Sequence, residues 1–471
     1  MHNTFRGSFS KTLLAVSIAS ASTVSQAGSF GLIEQSASGQ GSAYAGAAAL
    51  GEDASTIYFN PAGMTRLSGQ QIILAGHIVS PNADYTDSGT STAANGLAPL
   101  TGPNSSTGDP AFIPNFYYSA ELPNEIYVGV GVNVPFGLST EYDDGWIGRY
   151  HALRSEVATI NINPSIAWKA TDKISVGFGI SIQYVDLELT NSIDSVATCG
   201  GLSAPSSPVA PVVAADCAAY ATTPPSNPAT DSSAKLEGDS TELGWNTGIL
   251  IDLDDKSRIG IAYRSAIKHN VSGNATYTLD TPLSDASDSI LAATGFNVLQ
   301  NTTLEATAEM PETFSFSFVG DLSPKWTALF DWTWTGWSSL DIITIRQAGG
   351  IPGQESTLDL AYKNTNRFSV GVNYKPGNKW IYRGGLALDE TPIRSPETTS
   401  ARIPGNDRTW LSLGLGYAPA ASWSFDVGYS HLFLSDTQIN SGPTASTSGA
   451  TLTGTYESSV DILSAQVNFN F

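Results

Sequence analysis

The sequence has few charged residues, and most of those are acidic. Charged side chains make up 14% of the 471 residues, and 22 Lys and Arg stand against 43 Asp and Glu, for a net charge of −21. Because binding to phosphates needs clustered Lys and Arg, this balance excludes a nucleic-acid partner. No apolar run reaches the roughly 18 residues of a membrane-spanning helix, which excludes a helical membrane protein.

Glycine and aromatic residues take the place of the missing charges. The chain has 45 Gly, 10 Trp, 18 Tyr and 18 Phe, and 41% of its residues are apolar. A disordered chain contains far fewer apolar and aromatic residues than this. The composition therefore predicts a large, ordered chain that is rich in β-structure.

Cysteine is almost absent, since only Cys199 and Cys217 occur, on either side of a stretch rich in Pro, Ala and Ser. In an oxidising compartment this pair predicts one local disulfide, with two free thiols as the alternative. No His or further Cys lies near the pair. We therefore predict no metal site, and no cofactor motif is present with the context that it needs.

The first 27 residues have the pattern of a signal peptide. Arg6 and Lys11 accompany a short apolar core at 13–19, and Ser25-Gln26-Ala27 supplies the small residues that a signal peptidase recognises. We expect cleavage after Ala27 and export from the cytoplasm.

Strict alternation of apolar and polar residues runs through most of the chain after residue 69. In the segment 174–184, for example, Ile174, Val176 and Phe178 alternate with small or polar residues, as in a strand with one apolar face. Fourteen such strands are predicted, at 70–80, 111–121, 125–135, 156–169, 173–188, 242–253, 257–270, 304–321, 325–337, 361–374, 379–389, 409–418, 422–434 and 458–471.

Short and long connections alternate between these predicted strands. Tight turns are predicted at 123–124, 254–255, 323–324, 376–377 and 418–419, and long polar segments at 81–110, 136–155, 189–241, 271–303, 338–360, 390–408 and 435–457. An even number of antiparallel strands, with short turns at one rim and long loops at the other, predicts an all-β transmembrane barrel of the outer membrane. The alternative is a soluble β-sandwich or propeller, in which connections do not sort by parity.

Residues 28–69 lack this alternation and are rich in small residues. They nevertheless contain apolar anchors, such as Phe30, Tyr44 and Ile57, which are too many for a solvated linker. A compact segment before the first strand predicts a hatch that plugs the lumen, with a flexible periplasmic tail as the alternative. The predicted organisation is thus a signal peptide at 1–27, a hatch at 28–69 and a barrel at 70–471.

An ordered set of motifs extends along the chain. The hatch carries Asn60-Pro61-Ala62, and four further motifs follow at 145–150, 310–316, 388–392 and 403–411. Together they resemble the FadL-type long-chain fatty-acid transporters of the outer membrane. The resemblance implies a fourteen-stranded barrel closed by a hatch, without a continuous water channel. It also implies that a kinked third strand opens a gap beside Asn60-Pro61-Ala62, through which apolar substrate leaves sideways into the membrane.

The third predicted strand contains residues that suit such a kink. Gly129 and Gly131 lie within it, and Pro135-Phe136-Gly137 follows. Glycines inside a strand often mark bulges or bends. We therefore expect the lateral opening within Gly129–Gly137.

The long segment 271–303 contains an apolar stretch that predicts a helix. Leu291, Val298 and Leu299 would share one helical face, with Asp285 and Ser287 before it as N-terminal signals. The family has a low-affinity capture groove between its third and fourth loops, so these residues are candidates for that groove, together with Ile290 and Phe296. Packing against the loop 189–241 is an alternative that is compatible with capture.

A carboxylate headgroup needs a cation or N–H donors inside the barrel. Strand parity directs Arg264 and Arg383 inward, as it does Asp331 and Asp426, so these four are either headgroup contacts or a lumenal salt-bridge network. Arg346 lies where the family places a basic headgroup contact. Whether the substrate is a fatty acid or a neutral aromatic or alkane hydrocarbon stays open, because relatives of this family carry hydrocarbons.

Two other functions fit the sequence less well. A barrel phospholipase or protease needs a nucleophile with a base in reach, and His77, His151, His269 and His431 are scattered without such spacing. A general porin lacks a plug before its first strand. We therefore expect a non-enzymatic transporter that takes up hydrophobic compounds, most of all long-chain fatty acids, without a cofactor.

The expected surroundings follow from this function. The protein would lie in the outer membrane of a Gram-negative bacterium, in contact with outer-membrane lipid and lipopolysaccharide. The aromatic last residue, Phe471, resembles the C-terminal signal that the barrel insertion machinery recognises.

Overall fold

The fold is a closed antiparallel barrel of fourteen strands with the N-terminal segment inside it, as predicted. A computed structural model describes residues 29–351, 355–444 and 446–471, so the predicted signal peptide at 1–27 lies outside the described residues. The barrel closes because β1 (Gln70–Asp87) pairs on one side with β2 (Ala111–Leu122) and on the other with the last strand, β14 (Leu452–Asn470).

The other barrel strands, several of them in two segments, are β3 (Ile126–Asn133 and Gly137–Glu141), β4 (Arg154–Lys169), β5 (Ile174–Ile193), β6 (Ser232–Asp252), β7 (Ser257–Arg264 and Ile267–Thr278), β8 (Thr302–Met310 and Thr313–Ser323), β9 (Trp326–Thr335 and Ile342–Gln347), β10 (Ser356–Asp359 and Thr365–Tyr374), β11 (Trp380–Asp389), β12 (Arg408–Ala420) and β13 (Trp423–Leu434). Short strands in the long loops are Thr92–Ala93, Ala98–Pro99, Ser106–Thr107 and Thr437–Ser441, and short 3₁₀ turns are Ala94–Gly96, Pro123–Glu125, Ala218–Tyr220, Pro228–Thr230 and Trp337–Ser339.

The two faces of the wall differ as the alternation predicts. On β5, Val176, Phe178 and Ile180 are exposed on the outer face, whereas Ser175 and Ser181 are buried on the inner face. Four tryptophans of the barrel strands, Trp168, Trp245, Trp326 and Trp423, are also exposed. An apolar exposed face is the surface that a barrel presents to lipid.

Several strands are longer than predicted, for one physical reason. β6 begins at Ser232 rather than near 242, and β5 continues to Ile193. Beyond Tyr184 the outward positions of β5 are polar, starting with Asp186 and Glu188, so these strand ends extend past the lipid. Apolar alternation disappears there although the backbone pairing continues.

The predicted strand at 304–321 is wrong as a single segment, because it is interrupted between Met310 and Thr313. Pro311 occupies the break and has no N–H to donate to a neighbouring strand. The predicted turn at 418–419 is also wrong, since β12 continues to Ala420, which pairs with Trp423.

The hatch consists of three one-turn helices, α1 (Ala37–Gln40), α2 (Ala47–Leu50) and α3 (Thr56–Phe59), and the 3₁₀ helix Pro61–Arg66. Most of its residues are buried inside the barrel. Side chains of the wall bind its backbone directly: Gln466 accepts a hydrogen bond from the Ala37 N–H (2.9 Å), and Ser317 accepts one from the Ala48 N–H (3.0 Å).

The hatch backbone packs against glycines of the inner wall. A Cβ atom added at Gly260 would overlap the carbonyl oxygen of Ala48, and one added at Gly385 would overlap the backbone of Ser42. Other wall glycines that a hatch residue approaches closely are Gly177, Gly248, Gly371, Gly414 and Gly428. Because only glycine leaves room for such an approach, the shape of the wall fixes the position of the hatch.

Three longer helices lie in the long loops, namely α4 (Ser195–Leu202), α5 (Ala210–Cys217) and α6 (Thr281–Thr294). A disulfide joins Cys199 of α4 to Cys217 of α5, with the sulfur atoms 2.09 Å apart. In the part of the chain that the structure describes, no helix is long and apolar enough to cross a bilayer.

The glycine contacts lead to a test of how the hatch is held. Replacing Gly385 with Ala should shift the hatch away from β11, since overpacking a well-packed contact costs about 1–3 kcal/mol. We expect the variant to conduct ions in planar bilayers more strongly than the native protein.

The neighbouring Gly384 provides the matched control, because a Cβ there would meet nothing within 4 Å. The Gly384→Ala variant should conduct like the native protein. Equal conductance of the Gly385 and Gly384 variants would show that glycine packing does not position the hatch.

Candidate transport site between the hatch and the third strand

The third barrel strand is interrupted inside the wall. β3 pairs with β4 from Ile126 to Asn133 and again from Gly137 to Glu141. Between these segments, Val134, Pro135 and Phe136 pair with neither β2 nor β4 in the strand ladder. The interruption therefore lies at the C-terminal end of the range in which the sequence predicts a kink.

The first residues of the hatch take the place of the missing strand partner. The Leu32 N–H donates to the carbonyl oxygen of Pro135 (2.9 Å), and the Gly137 N–H donates to the carbonyl oxygen of Phe30 (2.8 Å). The side chain of Gln35 donates to the carbonyl oxygen of Val134 (2.9 Å). Buried backbone groups need such partners, so the hatch satisfies a stretch of wall that β2 does not.

A gap separates β2 from the interrupted part of β3. Its pairing with β3 ends at Phe116, opposite Val132, and the segment 111–115 has no ladder partner on β3. Pro114 has no N–H to offer there, and the Asn115 side chain donates to the carbonyl oxygen of Glu34 in the hatch (3.0 Å). A breach in the strand ladder is thus bordered by β2, β3 and the start of the hatch.

The predicted kink residues Gly129 and Gly131 have a different structural role. Both pair with β4 without a break, opposite Ser165 and Asn163. A Cβ at Gly129 would lie 2.6 Å from Ile57 of the hatch, so this glycine provides space for packing rather than a bend. The expectation that they bend the strand is therefore wrong. The break occurs at Pro135, which has no backbone N–H to donate to a neighbouring strand.

The Asn60-Pro61-Ala62 motif lies against another part of the wall. The Asn60 side chain donates to the carbonyl oxygens of Ala48 (2.7 Å) and Ile249 (3.1 Å) and accepts from the Ala62 N–H (3.0 Å). The motif therefore ties the hatch to β6. Hydrogen bonds at the breach come from the residues Phe30 to Gln35. That the gap lies beside the motif stays a prediction.

A cavity of about 140 Å³ lies between the hatch and the wall next to this interruption. Its apolar lining comes from three places: Leu32, Ile33 and Phe59 of the hatch, Pro135 and Phe136 of the interruption, and Ala262, Trp337 and Trp410 of the barrel. Threonines and serines, the carboxylates of Asp331 and Asp389, and the guanidinium groups of Arg264 and Arg367 complete it.

Aromatic side chains cover the extracellular side of the interruption. The ring centroid of Phe30 lies 5.9 Å from that of Phe136 and 5.2 Å from that of Trp337. The Ser29 hydroxyl donates to the phenolic oxygen of Tyr362 (3.1 Å). This cluster holds the first described residues of the hatch over the cavity.

The three predicted headgroup cations lie in different places. Arg264 lines the cavity, where it donates to the Tyr58 carbonyl oxygen (2.8 Å) and its guanidinium carbon lies 4.4 Å from the Tyr58 ring centroid. Arg383 points inward as predicted, but it lies outside the cavity lining and pairs with Asp426 (2.7 Å) and Glu52 (3.2 Å). Arg346 is exposed on β9 and does not line the cavity.

The predicted network of four charges is therefore only half present. Arg383 and Asp426 pair, whereas Arg264 has no acidic partner among the described residues, and Asp331 accepts a hydrogen bond from Ser317. Sequence reasoning missed Arg367, although strand parity at 361–374 places it on the same inner face as Arg264 and Arg383. Arg367 is distinguished from these two arginines by the residues that surround it, and strand parity does not show these residues.

Glu34 is a buried carboxyl group in the hatch, beside the breach. It is 0% exposed, and neither of its oxygens has a hydrogen bond with another described residue. Burial raises the pKa of Glu34 to about 7, although the charges of Arg367 and Arg408 lower it. The group is therefore largely protonated below neutral pH while the hatch segment is docked.

The predicted capture groove is only partly exposed. Ile290 is buried against the disulfide-linked loop, whereas Leu291 and Phe296 are exposed. The helix prediction is wrong in its limits, because α6 begins at Thr281 and ends before Gly295, whose φ of +74° favours glycine and ends helices. Val298 and Leu299 thus lie beyond the helix, and the capture role of these five residues stays a prediction.

The Glu34 environment predicts a pH-dependent docking of the hatch segment. When the segment undocks, Glu34 regains an ordinary pKa near 4.5, so the docked form binds more protons between that value and about 7. Docking should therefore weaken as pH rises through this window, by at most about 3 kcal/mol. Hydrogen exchange of residues 30–36, corrected for intrinsic rates, should be faster at high pH.

Two variants complete this experiment. The Glu34→Gln variant should lose the pH dependence, while Glu125→Gln, in an exposed turn, should keep it. Persistence of the dependence in Glu34→Gln would assign it to another group.

Comparison with known proteins agrees with this architecture. A long-chain fatty acid transport protein of Escherichia coli is 29% identical over 430 residues, which are 90% of this chain and 91% of that protein. The crystal structure of a Pseudomonas aeruginosa FadL homologue matches with a TM-score of 0.83 at 23% identity, over 94% of this chain and 100% of that one. The Pseudomonas putida toluene transporter TodX matches with a TM-score of 0.65 at 15% identity, over 95% and 100% of the two chains.

The family model described as outer membrane protein transport protein (OMPP1/FadL/TodX) matches residues 18–471, which is nearly the whole chain. The resemblance found in the sequence is thereby confirmed. The chain belongs to the outer membrane protein transport protein family.

Proposed function

We propose that this protein takes up long-chain fatty acids across the outer membrane by passive diffusion. The observation that carries the proposal is the apolar cavity between the hatch and the interrupted third strand, which contains guanidinium groups among its lining residues. The Escherichia coli relative is named a long-chain fatty acid transport protein. A cavity that is apolar but contains fixed cations suits a molecule with an apolar chain and an anionic end.

The physical basis of transport is the removal of apolar surface from water. Each apolar pocket contributes about 25 cal/mol per Å² of substrate surface that it buries. The breach beside Phe136 supports a lateral exit into the bilayer. The hatch packs against glycines of the inner wall and occupies the lumen on the way to the periplasm. No chemical step is needed, and we propose that the protein has no enzymatic activity.

The size of the cavity favours a second candidate substrate, a single aromatic ring. An engineered apolar cavity of about 150 Å³ binds benzene, and the cavity here measures about 140 Å³. The solved relative TodX is titled a toluene transporter. A long acyl chain requires the cavity to widen, and the hatch residues in its lining, such as Leu32, Ile33 and Phe59, lie outside the barrel strands.

The proposal also includes the domain organisation of the chain and its contacts in the outer membrane. We propose a cleaved signal peptide at 1–27, a hatch at 28–69 and a barrel at 70–471. The exposed apolar face of the barrel supports contact with outer-membrane lipid and lipopolysaccharide. The exposed terminal Phe471 supports recognition by the barrel insertion machinery.

Filling the cavity tests the proposal. Ala262 is buried in its lining, so Ala262→Trp should obstruct it. Because overpacking costs about 1–3 kcal/mol, we expect uptake of radiolabelled oleate by cells that lack their own transporter to fall at least about tenfold.

The adjacent Ile261 points to the outer face and provides the control. The Ile261→Trp variant adds the same side chain on the lipid side and should leave uptake unchanged. Equal uptake by the two variants would contradict transport through the cavity. Toluene that competes with oleate in the native protein would favour the second candidate.

A further inference from the structure

Several buried polar atoms without partners belong to Arg367, which lines the cavity, and to the nearby residues Arg408 and Glu34. Among the described residues, Arg367 has no hydrogen-bond partner for Nε and Nη1, and Arg408 has none for the same two atoms. Both oxygens of Glu34 are likewise unpartnered. Such groups are costly to bury, so a native structure that contains several together needs an explanation.

Other arginines of this barrel have fewer such atoms, since Arg383 lacks a partner for Nε alone. Arg402 donates to the carbonyl oxygens of Arg154 and Thr190 and to the side chains of Ser155 and Asn191, at distances of 3.0 to 3.4 Å. Arg383 is bound to two carboxylates. Among the described residues, Arg367 and Arg408 are therefore the arginines with two unpartnered donor atoms each.

The nearby carboxylates accept no hydrogen bond from these two arginines, although Arg408 forms an ion pair with Asp389. Asp389 stands opposite Arg367 in the β10–β11 register, yet no ion pair joins them. The Nη1 atom of Arg408 lies 3.7 Å from Asp389, too far for a hydrogen bond. Glu34, with its pKa raised to about 7, is largely neutral below that pH.

Arg367 is held in place by two contacts that leave its remaining donors free. Its Nη2 atom donates to the carbonyl oxygen of Ala43 in the hatch (3.0 Å), and its guanidinium carbon lies 5.0 Å from the ring centroid of Trp410. The side chain is 7% exposed and lines the cavity together with Trp410. A buried cation that is fixed and unpaired is preorganised to bind an anion.

We propose that Arg367 binds the carboxylate of an acyl substrate in the cavity, with Arg408 as a second positive charge behind it. The acyl chain then lies along Leu32, Ile33 and Phe136, towards the breach in the wall. This inference rests on the proposed function and deepens it, because it assigns the recognition of the acid end to one residue. Arg264, whose donors go to Tyr58 and Ser181, lines the other side of the cavity.

The assignment has a consequence for selectivity. A charge-assisted hydrogen bond to Arg367 favours a carboxylate over an alcohol of the same chain length, because a hydroxyl group carries no charge. The apolar lining binds the two chains equally. A comparison of the affinities for the acid and the alcohol therefore separates the contribution of Arg367 from that of the apolar lining.

Equilibrium dialysis of the purified full-length protein against hexadecanoate and hexadecanol tests the proposal. In Arg367→Gln, hexadecanoate should bind at least about tenfold more weakly, which corresponds to about 1.4 kcal/mol, whereas hexadecanol should bind as it does to the native protein. Lys375→Gln removes an exposed cation from the turn after β10 and should change neither affinity.

Three results would overturn the assignment or its basis. Unchanged binding of hexadecanoate to Arg367→Gln would overturn it, and so would a parallel loss of both ligands, because the residue would then only shape the hatch through Ala43. If Arg367→Gln does not insert into the membrane, Arg367→Lys tests the assignment instead. It keeps the charge but should reduce the preference for hexadecanoate over hexadecanol. A native protein that binds neither ligand would refute the proposed function itself.

Discussion

The close contact between the hatch backbone and the glycines of the barrel wall is the constraint on which the rest of the structure depends. Where the wall has Gly260 and Gly385, the hatch backbone lies so near that a methyl group would overlap it. Hydrogen bonds from the Ala37 and Ala48 amides to wall side chains secure the same position. The lumen is therefore filled by protein, and the space left for a substrate lies beside the hatch rather than through it.

The interrupted third strand follows from the same placement. A barrel wall without a partner for Val134, Pro135 and Phe136 would leave buried backbone groups unsatisfied. The hatch supplies partners to Val134 through Gln35 and to Pro135 through Leu32. The side chain of Thr159 on β4 binds both backbone groups of Phe136. Because hydrogen bonds to a short segment replace a continuous ladder, movement of that segment changes the wall without unfolding the barrel.

The sequence predicted the parts of the fold that repeat and missed those that depend on distant partners. Alternation on β5 identifies its lipid face from Ile174 to Ile182, but it ends where Asp186 turns outward beyond the membrane. The sequence places the break in β3 only within Gly129–Gly137, since nothing local shows that Gly129 and Gly131 pair regularly or that Leu32 binds Pro135. Parity would place Arg367 on the inner face, yet its free donors follow from contacts with Ala43 and Trp410, far away in the chain.

The central claim is that apolar substrate crosses beside a sealed lumen, and native protein in planar bilayers and in liposomes tests it most directly. Ion conductance and the transfer of a fluorescent fatty acid are measured on the same preparation. The account predicts saturable transfer of the fatty acid without steady ion current, because the hatch excludes a water column. A steady ohmic current that rises in proportion to the transfer rate would contradict it, since both would then pass through an aqueous bore.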